Sequence, residues 1–551
     1  MRTVTAIAFI LLAAFLLKVF STNVIRKPVI ASVDPQIGYP GDEMTIRGSG
    51  FGTSKDSSYV EIAGSRVTSS AYKVWRDDEI RLVLPSNVQD GLVIVGTSSG
   101  RSDPAFFANE AGIPVAVRMD PGTSIPSIVS VSVESAVIGQ TITLNGSHFG
   151  NARGSSEVYF SAAADESHSP AASDQNGEKN DAWIAASETN FDYVAWSDSE
   201  IQVRVPDGAT TGSVYIQTER GSSGSKKLGI SFPAGKKQYA NKRTYVIQTC
   251  ADISNHVATQ ESTILLYIPK PQISSFQPSA ELNEVFPDPF IVDDMYNIIH
   301  KKQLNEIVNN KQRFSQTYVV SSYCIRSSVN PKGITYYKNR NSPVFQRFTT
   351  PDMCVQSDSQ LVKDFLESID TAEKNPYLFA RSVYDYFIAN FKVNEKIRSG
   401  DAVFTDLIRR KKGDAYDFAI LYAAVLRAKG IPCIPCGGIL VHNKSTVTPH
   451  WWVEIYFENY GWLPVDPALG AGLEFEPFIT IDNRTEFYFG NLDNQHVAFS
   501  RGFRQIKQSQ ENSRIVYRPR TYALQSIWEE SGDATSSYSS LWNNPIIQGI
   551  Y

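Results

Sequence analysis

Residues 412–432 read KGDAYDFAILYAAVLRAKGIP, and this stretch decides the fold of the C-terminal half of the chain. Apolar residues recur in it at spacings of three and four, the period of one helix face. These residues are Phe418, Leu421, Tyr422 and Val425. Asp414 stands at the position of an N-terminal cap, and Gly430 is a residue that commonly ends a helix. The pattern therefore predicts a helix over residues 414–429.

Strand-like runs follow this helix at residues 434–441, 450–457 and 462–465. Another helix is predicted upstream, where Asn375 precedes Pro376. Asparagine is a good N-terminal cap, and proline suits the first helical position. Helices followed by strands around one core indicate an α+β domain.

These elements carry three motifs in a fixed order: KGDAYDFA at 412–419, HWWVE at 450–454 and GWLPVDP at 461–467. The motifs resemble the transglutaminase-like family, a relative of the papain-like cysteine peptidases. The similarity covers residues 370–470. It implies that this part of the chain has the transglutaminase-like fold.

The resemblance also implies where the chemistry of the family would lie. The family pattern Gly-x-Cys-x-Asp-Phe-Ala places a cysteine at a helix N-terminus, where the helix dipole favours the thiolate. A histidine on a neighbouring strand accepts its proton, and an aspartate orients the imidazole. Here Ala415 occupies the cysteine position, His450 matches the base and Asp466 matches the aspartate. Because a methyl group cannot form a thioester, we expect a pseudoenzyme that binds a peptide, a protein or a cell-wall component.

Two alternatives remain open at this point. The first is an active thiol protease, amidase or transglutaminase that uses another nucleophile. Cys433 and Cys436 are poor candidates because they follow the helix and enter the next strand, where residues three apart point to opposite faces. The second alternative is a surface adhesion or scaffold protein, in which the N-terminal modules bind the partner.

An internal repeat fills the N-terminal half. PVIASVDPQIGYPGDEMTIRGSGFG begins at residue 28, and PSIVSVSVESAVIGQTITLNGSHFG begins at residue 126. Short alternating runs separated by Gly, Pro and Asp predict an all-β sandwich for each copy. Both copies resemble the IPT/TIG family of immunoglobulin-like domains, which implies a spacer or an interaction module. The second copy is longer, and its extra residues lie in the polar stretch 163–190, predicted to be a surface loop or a locally disordered insertion.

The N-terminus predicts export. Arg2 precedes an unbroken apolar run over residues 6–17, which indicates a signal peptide or a membrane anchor within residues 3–20. The rest of the chain is then expected in the periplasm or at the cell surface.

Composition excludes several classes of protein. The 551 residues are 42% hydrophobic and 20% charged, so each domain can bury a core and global disorder is excluded. The net charge of −5 argues against a nucleic-acid partner. Five scattered cysteines and seven histidines show no four-ligand spacing, so we expect neither a metal nor a cofactor.

The sequence thus predicts a multidomain chain with two immunoglobulin-like sandwiches and one α+β transglutaminase-like domain. The expected segments are an export segment (1–27), two modules (28–110 and 111–235), a β-rich region (236–350), a core (351–475) and a C-terminal extension of that core (476–551).

Overall fold

The computed structural model describes residues 27–551, apart from 86–87, 110–124, 163–182, 260, 293, 370–371, 401, 443–445, 510–511 and 526. The predicted export segment therefore lies outside the described residues, except for Lys27. None of the described helices is both long and apolar enough to span a membrane. The chain divides into two compact units, residues 1–122 and 123–551.

Ten strands, β1–β10, form the first module. They are Val29–Asp34, Ile37–Gly38, Glu43–Ser49, Tyr59–Ile62, Ser65–Arg66, Tyr72–Trp75, Glu79–Val83, Gly91–Thr97, Gly100–Arg101 and Ala105–Asn109. One sheet has the order β1-β3-β7-β6, and the other has β2-β10-β8-β4-β5 with β9 paired to β8. The inward residues of both sheets share one hydrophobic core, as the period-two alternation of strands requires.

The second module, residues 125–232, repeats this topology strand for strand. Its strands β11–β20 are Ser127–Val131, Ser135–Val137, Thr141–Ser147, Glu157–Ala162, Trp183–Ala185, Tyr193–Trp196, Glu200–Arg204, Ala209–Thr218, Gly221–Ser222 and Lys226–Ser231. The sheet orders are β11-β13-β17-β16 and β12-β20-β18-β14-β15. Residues 163–182 of the predicted loop lie outside the described residues, and the prediction is wrong at its C-terminal end, because Trp183–Ala185 pairs with β14 as β5 pairs with β4 in the first module.

The repeated glycines have a shared steric cause. A Cβ at Gly48 would lie 1.9 Å from the carbonyl oxygen of Val29, and a Cβ at Gly146 would lie 1.9 Å from that of Ser127. Each glycine therefore permits two backbones to approach closely at the same point of its module. Any side chain at either position would force the first and third strands of the module apart.

A β-rich region follows the modules and contains two long strands. Its strands β21–β25 are Gly235–Ala258, Thr263–Pro269, Ser279–Phe286, Asn297–Gln303 and Lys311–Val329. The last four strands of the chain, β32–β35, are Arg514–Arg518, Ile527–Ser531, Thr535–Trp542 and Ile546–Ile550. They complete the sheets β23-β25-β21-β34 and β24-β22-β33-β32, and β35 also pairs with β21. The predicted C-terminal extension of the core, residues 476–551, therefore belongs to two parts of the fold. Its final strands are part of the β-rich region.

The core is a four-stranded antiparallel sheet packed against helices. Its helices α1–α7 are Pro343–Thr349, Gln360–Ile369, Pro376–Asn390, Asp406–Arg410, Ala415–Ala428, Pro467–Gly470 and Arg484–Phe487. A short parallel pair is formed by β26 (Lys392–Val393) and β27 (Lys412–Gly413). Strands β28–β31 are Cys433–Val441, Val447–Phe457, Gly461–Val465 and His496–Arg501, in the order β30-β29-β28-β31.

Helix α5 is the centre of this core. The sequence pattern predicts one buried stripe, but nearly every residue of α5 is buried. The reason is that β28 and β29 cover the helix on one side while α1, α2 and α3 pack around the rest. Alanines such as Ala423 and Ala424, both fully buried, allow these neighbours to approach closely.

The second module is joined to the β-rich region and to the core by buried polar contacts. Lys237 on β21 and Asp207 of the module form an ion pair in which both side chains are less than one-tenth exposed. The guanidinium of Arg204 donates to the hydroxyl of Tyr456 on β29. Because unpaired charges are costly to bury, these contacts fix one docking geometry between the module and the core.

One histidine of the β-rich region makes stability depend on pH. His300 on β24 is fully buried against Phe314, and neither ring nitrogen has a hydrogen-bond partner among the described residues. Burial lowers the pKa of His300 to about 4. The folded state therefore favours the neutral ring, and stability is lost as pH falls from about 6.5 toward 4.

We expect His300→Phe to remove this pH dependence, which amounts to about 3 kcal/mol at the acidic limit. Hydrogen exchange of the β22 and β24 peptides measures it in wild type and variant at about pH 7 and about pH 5. The wild-type peptides should lose protection at the lower pH, and the variant should keep more of it. Equal losses in both proteins would show that His300 is not responsible.

Candidate functional site

The nucleophile position of the sequence motif is the first residue of α5. Ala415 follows the N-cap Asp414, whose carboxylate accepts from the backbone N–H of Asp417 at 3.0 Å. The side chain of Asp417 accepts from the backbone N–H of Asp414 at 3.2 Å, which completes a reciprocal capping box. Only 6% of Ala415 is exposed. The helix thus begins with a buried methyl group where the family pattern has a thiol.

Two arginines neutralise the carboxylates at this helix end. Arg520 donates to Asp414 at 2.8 Å and to Asp417 at 2.7 Å, and both carboxylates are almost fully buried. Arg398 donates to Asp417 at 2.8 Å. The guanidinium of Arg520 also lies 4.3 Å from the ring centroid of Tyr416. These contacts hold the start of α5 in one position.

The structure brings His450 and Asp466 into direct contact. His450 lies on β29, Asp466 follows the adjacent strand β30, and Nε2 of the histidine is 2.5 Å from Oδ2 of the aspartate. The other oxygen, Oδ1, accepts from the backbone N–H groups of Ala468 and Leu469 at 3.0 and 2.9 Å. The carboxylate is therefore fixed by the chain that follows it and presents Oδ2 to the histidine.

A second histidine, which the sequence analysis missed, completes the cluster. His496 at the start of β31 places Nε2 3.2 Å from Oδ2 of Asp466 and Nδ1 3.0 Å from Oδ1 of Asp493. The hydroxyl of Tyr488 donates to Oδ2 of Asp493 at 2.9 Å. Family motifs give no signal for these residues. The local sign of this pair in the sequence is that Asp493 and His496 are three residues apart where a strand begins.

Electrostatics of the cluster follow from this geometry. Burial opposes ionisation of Asp466, but the imidazoles of His450 and His496 outweigh it and hold the pKa of the carboxyl below its usual range. Burial also disfavours the charged form of His496, yet Asp493 and Asp466 together raise its pKa to about 9. A cation between two carboxylates is thus the favoured state at neutral pH.

The five native cysteines are poor candidates for a nucleophile. All five are free and buried. Burial raises the pKa of Cys354 and of Cys433 to about 12, and raises that of Cys436 well above its usual range. Since the thiolate is the reactive form, burial disfavours reaction of these three side chains at neutral pH.

Comparison with known families agrees with this geometry. Residues 363–467 match the model of the transglutaminase-like superfamily. The chain contains a transglutaminase-like domain. Residues 28–108 match the IPT/TIG domain model, so the first module is an IPT/TIG domain. The residues that match the transglutaminase-like model end at 467, so the match includes His450 and Asp466 but not His496.

Curated relatives align with parts of the chain. A cyclomaltodextrin glucanotransferase of Paenibacillus macerans is 32% identical over 88 residues, which is 16% of this chain and 12% of that protein. An uncharacterized protein of Haemophilus influenzae is 24% identical over 199 residues, covering 31% of this chain and 52% of that protein. The chain thus spans about an eighth of the first relative and about half of the second.

Solved structures are also similar to parts of the chain. The periplasmic domain of TgpA from Pseudomonas aeruginosa is 16% identical, covers 43% of this chain and 88% of its own, and has a TM-score of 0.23. A surface glycan-binding protein of Prevotella bryantii is 9% identical, covers 54% of this chain and 98% of its own, and has a TM-score of 0.15.

Proposed function

We propose that this protein is an exported, non-catalytic component of the cell envelope that binds a peptide, a protein or a wall component. The observation that carries the proposal is Ala415 at the start of α5, in a domain where the histidine and aspartate of the motif remain in contact. Without a nucleophile the domain cannot form an acyl-enzyme. The two N-terminal modules, which we infer to be immunoglobulin-like sandwiches, serve as spacers or as additional binding surfaces.

The burial of the native thiols supports this proposal over a working thiol enzyme. Under native conditions at about pH 7, none of the five cysteines is expected to react rapidly with iodoacetamide, because each is buried. Mass spectrometry of the alkylated full chain measures the result, and the chain unfolded in denaturant is the positive control. A native cysteine that labels rapidly would favour a thiol enzyme with another nucleophile.

The apolar run at residues 6–17 supports an extracytoplasmic location. A reporter enzyme that is active only in the cytoplasm, fused to the C-terminus, is expected to be silent. The same reporter fused to a chain that begins at residue 27 should be active and serves as the control. Strong activity of the full-length fusion would contradict export.

A ligand-binding site is better placed away from Ala415, His450 and Asp466 than over them. Ala415, His450 and Asp466 are at most 6% exposed, which leaves little surface for a ligand. A cavity of about 310 Å³ lies instead at the edge of the β-rich region. Its lining combines aromatic, amide and charged side chains: Tyr267, Asp294, Tyr296, Asn297, Arg504, Gln505, Ile506, Lys507 and Gln525.

Several groups of this cavity are available to a ligand. Oδ1 of Asn297 is buried and has no hydrogen-bond partner among the described residues. The guanidinium of Arg504 lies 4.6 Å from the ring centroid of Tyr296, and neither Arg504 nor Lys507 forms an ion pair with a described residue. Apolar faces with a few convergent polar groups are typical of ligand sites.

The full chain is expected to co-sediment with purified cell-wall material, and Arg504→Gln is expected to weaken that binding several-fold. Arg340→Gln is the matched control, because the guanidinium of Arg340 also lies over an aromatic ring, that of Phe345, outside the cavity. Equal sedimentation of Arg504→Gln and Arg340→Gln would show that the cavity is not the binding site. If the wild-type chain also stayed in solution, the wall would be excluded as the ligand.

A further inference from the structure

Three metal-ligating side chains converge in the core. One ligand atom of each of His450, Asp466 and His496 lies within 4.8 Å of the other two, and all three residues are buried. They come from β29, from the residue after β30 and from β31, so the set crosses the whole core sheet. Residues this far apart in the chain show no metal-binding spacing in the sequence.

The separations between these atoms suit a small cation with few changes. Ligand atoms about 2.0–2.2 Å from a tetrahedral zinc ion lie roughly 3.3 Å from each other. The two distances to Oδ2 of Asp466 are 2.5 and 3.2 Å. These two distances differ from the tetrahedral value by less than about 1 Å, and the ligand atoms of the two histidines are at most 4.8 Å apart, so an ion between the three atoms requires only side-chain rotations.

Asp466 and His496 each have a further hydrogen-bond partner. In both residues this contact uses one polar atom and leaves the other for a metal. Oδ1 of Asp466 is occupied by the backbone N–H groups of Ala468 and Leu469, so Oδ2 remains for coordination. Nδ1 of His496 faces Asp493, which itself accepts from Tyr488. A carboxylate on the far nitrogen of a histidine is the usual support of a metal ligand, since it fixes the tautomer and the ring orientation.

A proton or a metal ion must lie inside the cluster. Both nitrogens of His496 face carboxylates, and Nε2 of His450 faces the same oxygen of Asp466. Either a proton or a metal ion must lie between Nε2 of His496 and Asp466, because two lone pairs at 3.2 Å would repel. Two neutral imidazoles and one carboxylate form a ligand set of the kind that binds zinc.

We propose that His450, Asp466 and His496 bind one Zn²⁺ ion, with Asp493 as the residue that positions His496. Three protein ligands leave a fourth position for water or another donor. The ion would connect three strands of the core sheet. The proposal is independent of the proposed function, since a zinc site without a thiol still forms no thioester.

The test uses the full chain, stripped with a chelator and dialysed against buffered Zn²⁺. Elemental analysis is expected to give one zinc per chain, and Co²⁺ is expected to give the strong visible absorption of a four-coordinate ion. His496→Gln should lose this stoichiometric binding. Asp493→Asn keeps all three ligands and should weaken the affinity about 10- to 100-fold.

His442→Gln is the matched control, because this histidine lies in the same domain and its Nε2 is hydrogen-bonded to Thr448 and not to a carboxylate. It should retain one zinc per chain. Circular dichroism reports whether each variant folds. If His496→Gln does not fold, the zinc affinity of Asp493→Asn is the deciding measurement. Less than stoichiometric zinc in the wild type, or unchanged affinity in the folded variants, would overturn the proposal and leave a proton-linked network.

Discussion

Ala415→Cys is expected to give the transglutaminase-like domain a thiol that alkylates far faster than any native cysteine. The new side chain would stand at the first position of α5, in a domain that retains the His450–Asp466 pair. Ala415 is only 6% exposed, so a gain over the similarly buried native thiols would come from easier ionisation and not from better access. A helix N-terminus lowers a thiol pKa from about 8.5, and an imidazolium beside the thiol would lower it further. An ordinary thiol is only about 3% thiolate at pH 7, so a pKa near 7 raises the reactive fraction about 16-fold. The rate of iodoacetamide labelling at pH 6–7, followed by mass spectrometry, measures the effect.

Adding His450→Ala to this variant should remove most of the gain, because the imidazole is lost. His442→Ala is the matched control, since His442 also belongs to the domain but bonds to Thr448. The gain should survive that change. A cysteine at position 415 that is as inert as Cys433, whatever stands at position 450, would show that the cleft has been remodelled. The pseudoenzyme interpretation would then give way to a purely architectural one.

Arg520→Ala should destabilise the core by about 3–5 kcal/mol, the usual cost of leaving buried charges without their partner. The substitution removes the cation that contacts both Asp414 and Asp417, whose side chains are at most 1% exposed. Arg398 still contacts Asp417, but Asp414 loses its ion pair. Because the chain has several domains, hydrogen exchange of peptides from α5 is the suitable measurement.

Lys302→Ala provides the comparison for Arg520→Ala. Lys302 pairs with Glu306 at 2.8 Å, but the glutamate is 56% exposed. Water replaces such a contact at little cost, so the expected loss is below about 1 kcal/mol. If the two substitutions cost the same, the arginine does not hold the start of α5 in the way the contacts indicate.

Local signals in the sequence were sufficient for the elements of the core. The cap at Asp414 and the helix that follows it depend on neighbouring residues, and so does the helix that begins at Pro376. The repeat of the modules was readable for the same reason, because Gly48 and Gly146 serve one steric need at the same place in each copy. Motif spacing also identified His450 and Asp466, which the structure places in contact.

Contacts between distant segments could not be read in the same way. His496 reaches Asp466 only because β31 pairs with β28, and the final strands join the β-rich region across more than 200 residues of chain. The burial of the cysteines likewise depends on what packs over them. The sequence by itself determined the helices that begin at Pro376 and just after Asp414, the strands that follow them, the repeat and the alanine at position 415, since those rest on local periodicity and residue identity. Only the tertiary structure decided the contacts of His450 and His496 with Asp466 and the burial of the cysteines, because burial and charge pairing are properties of segments that meet after folding.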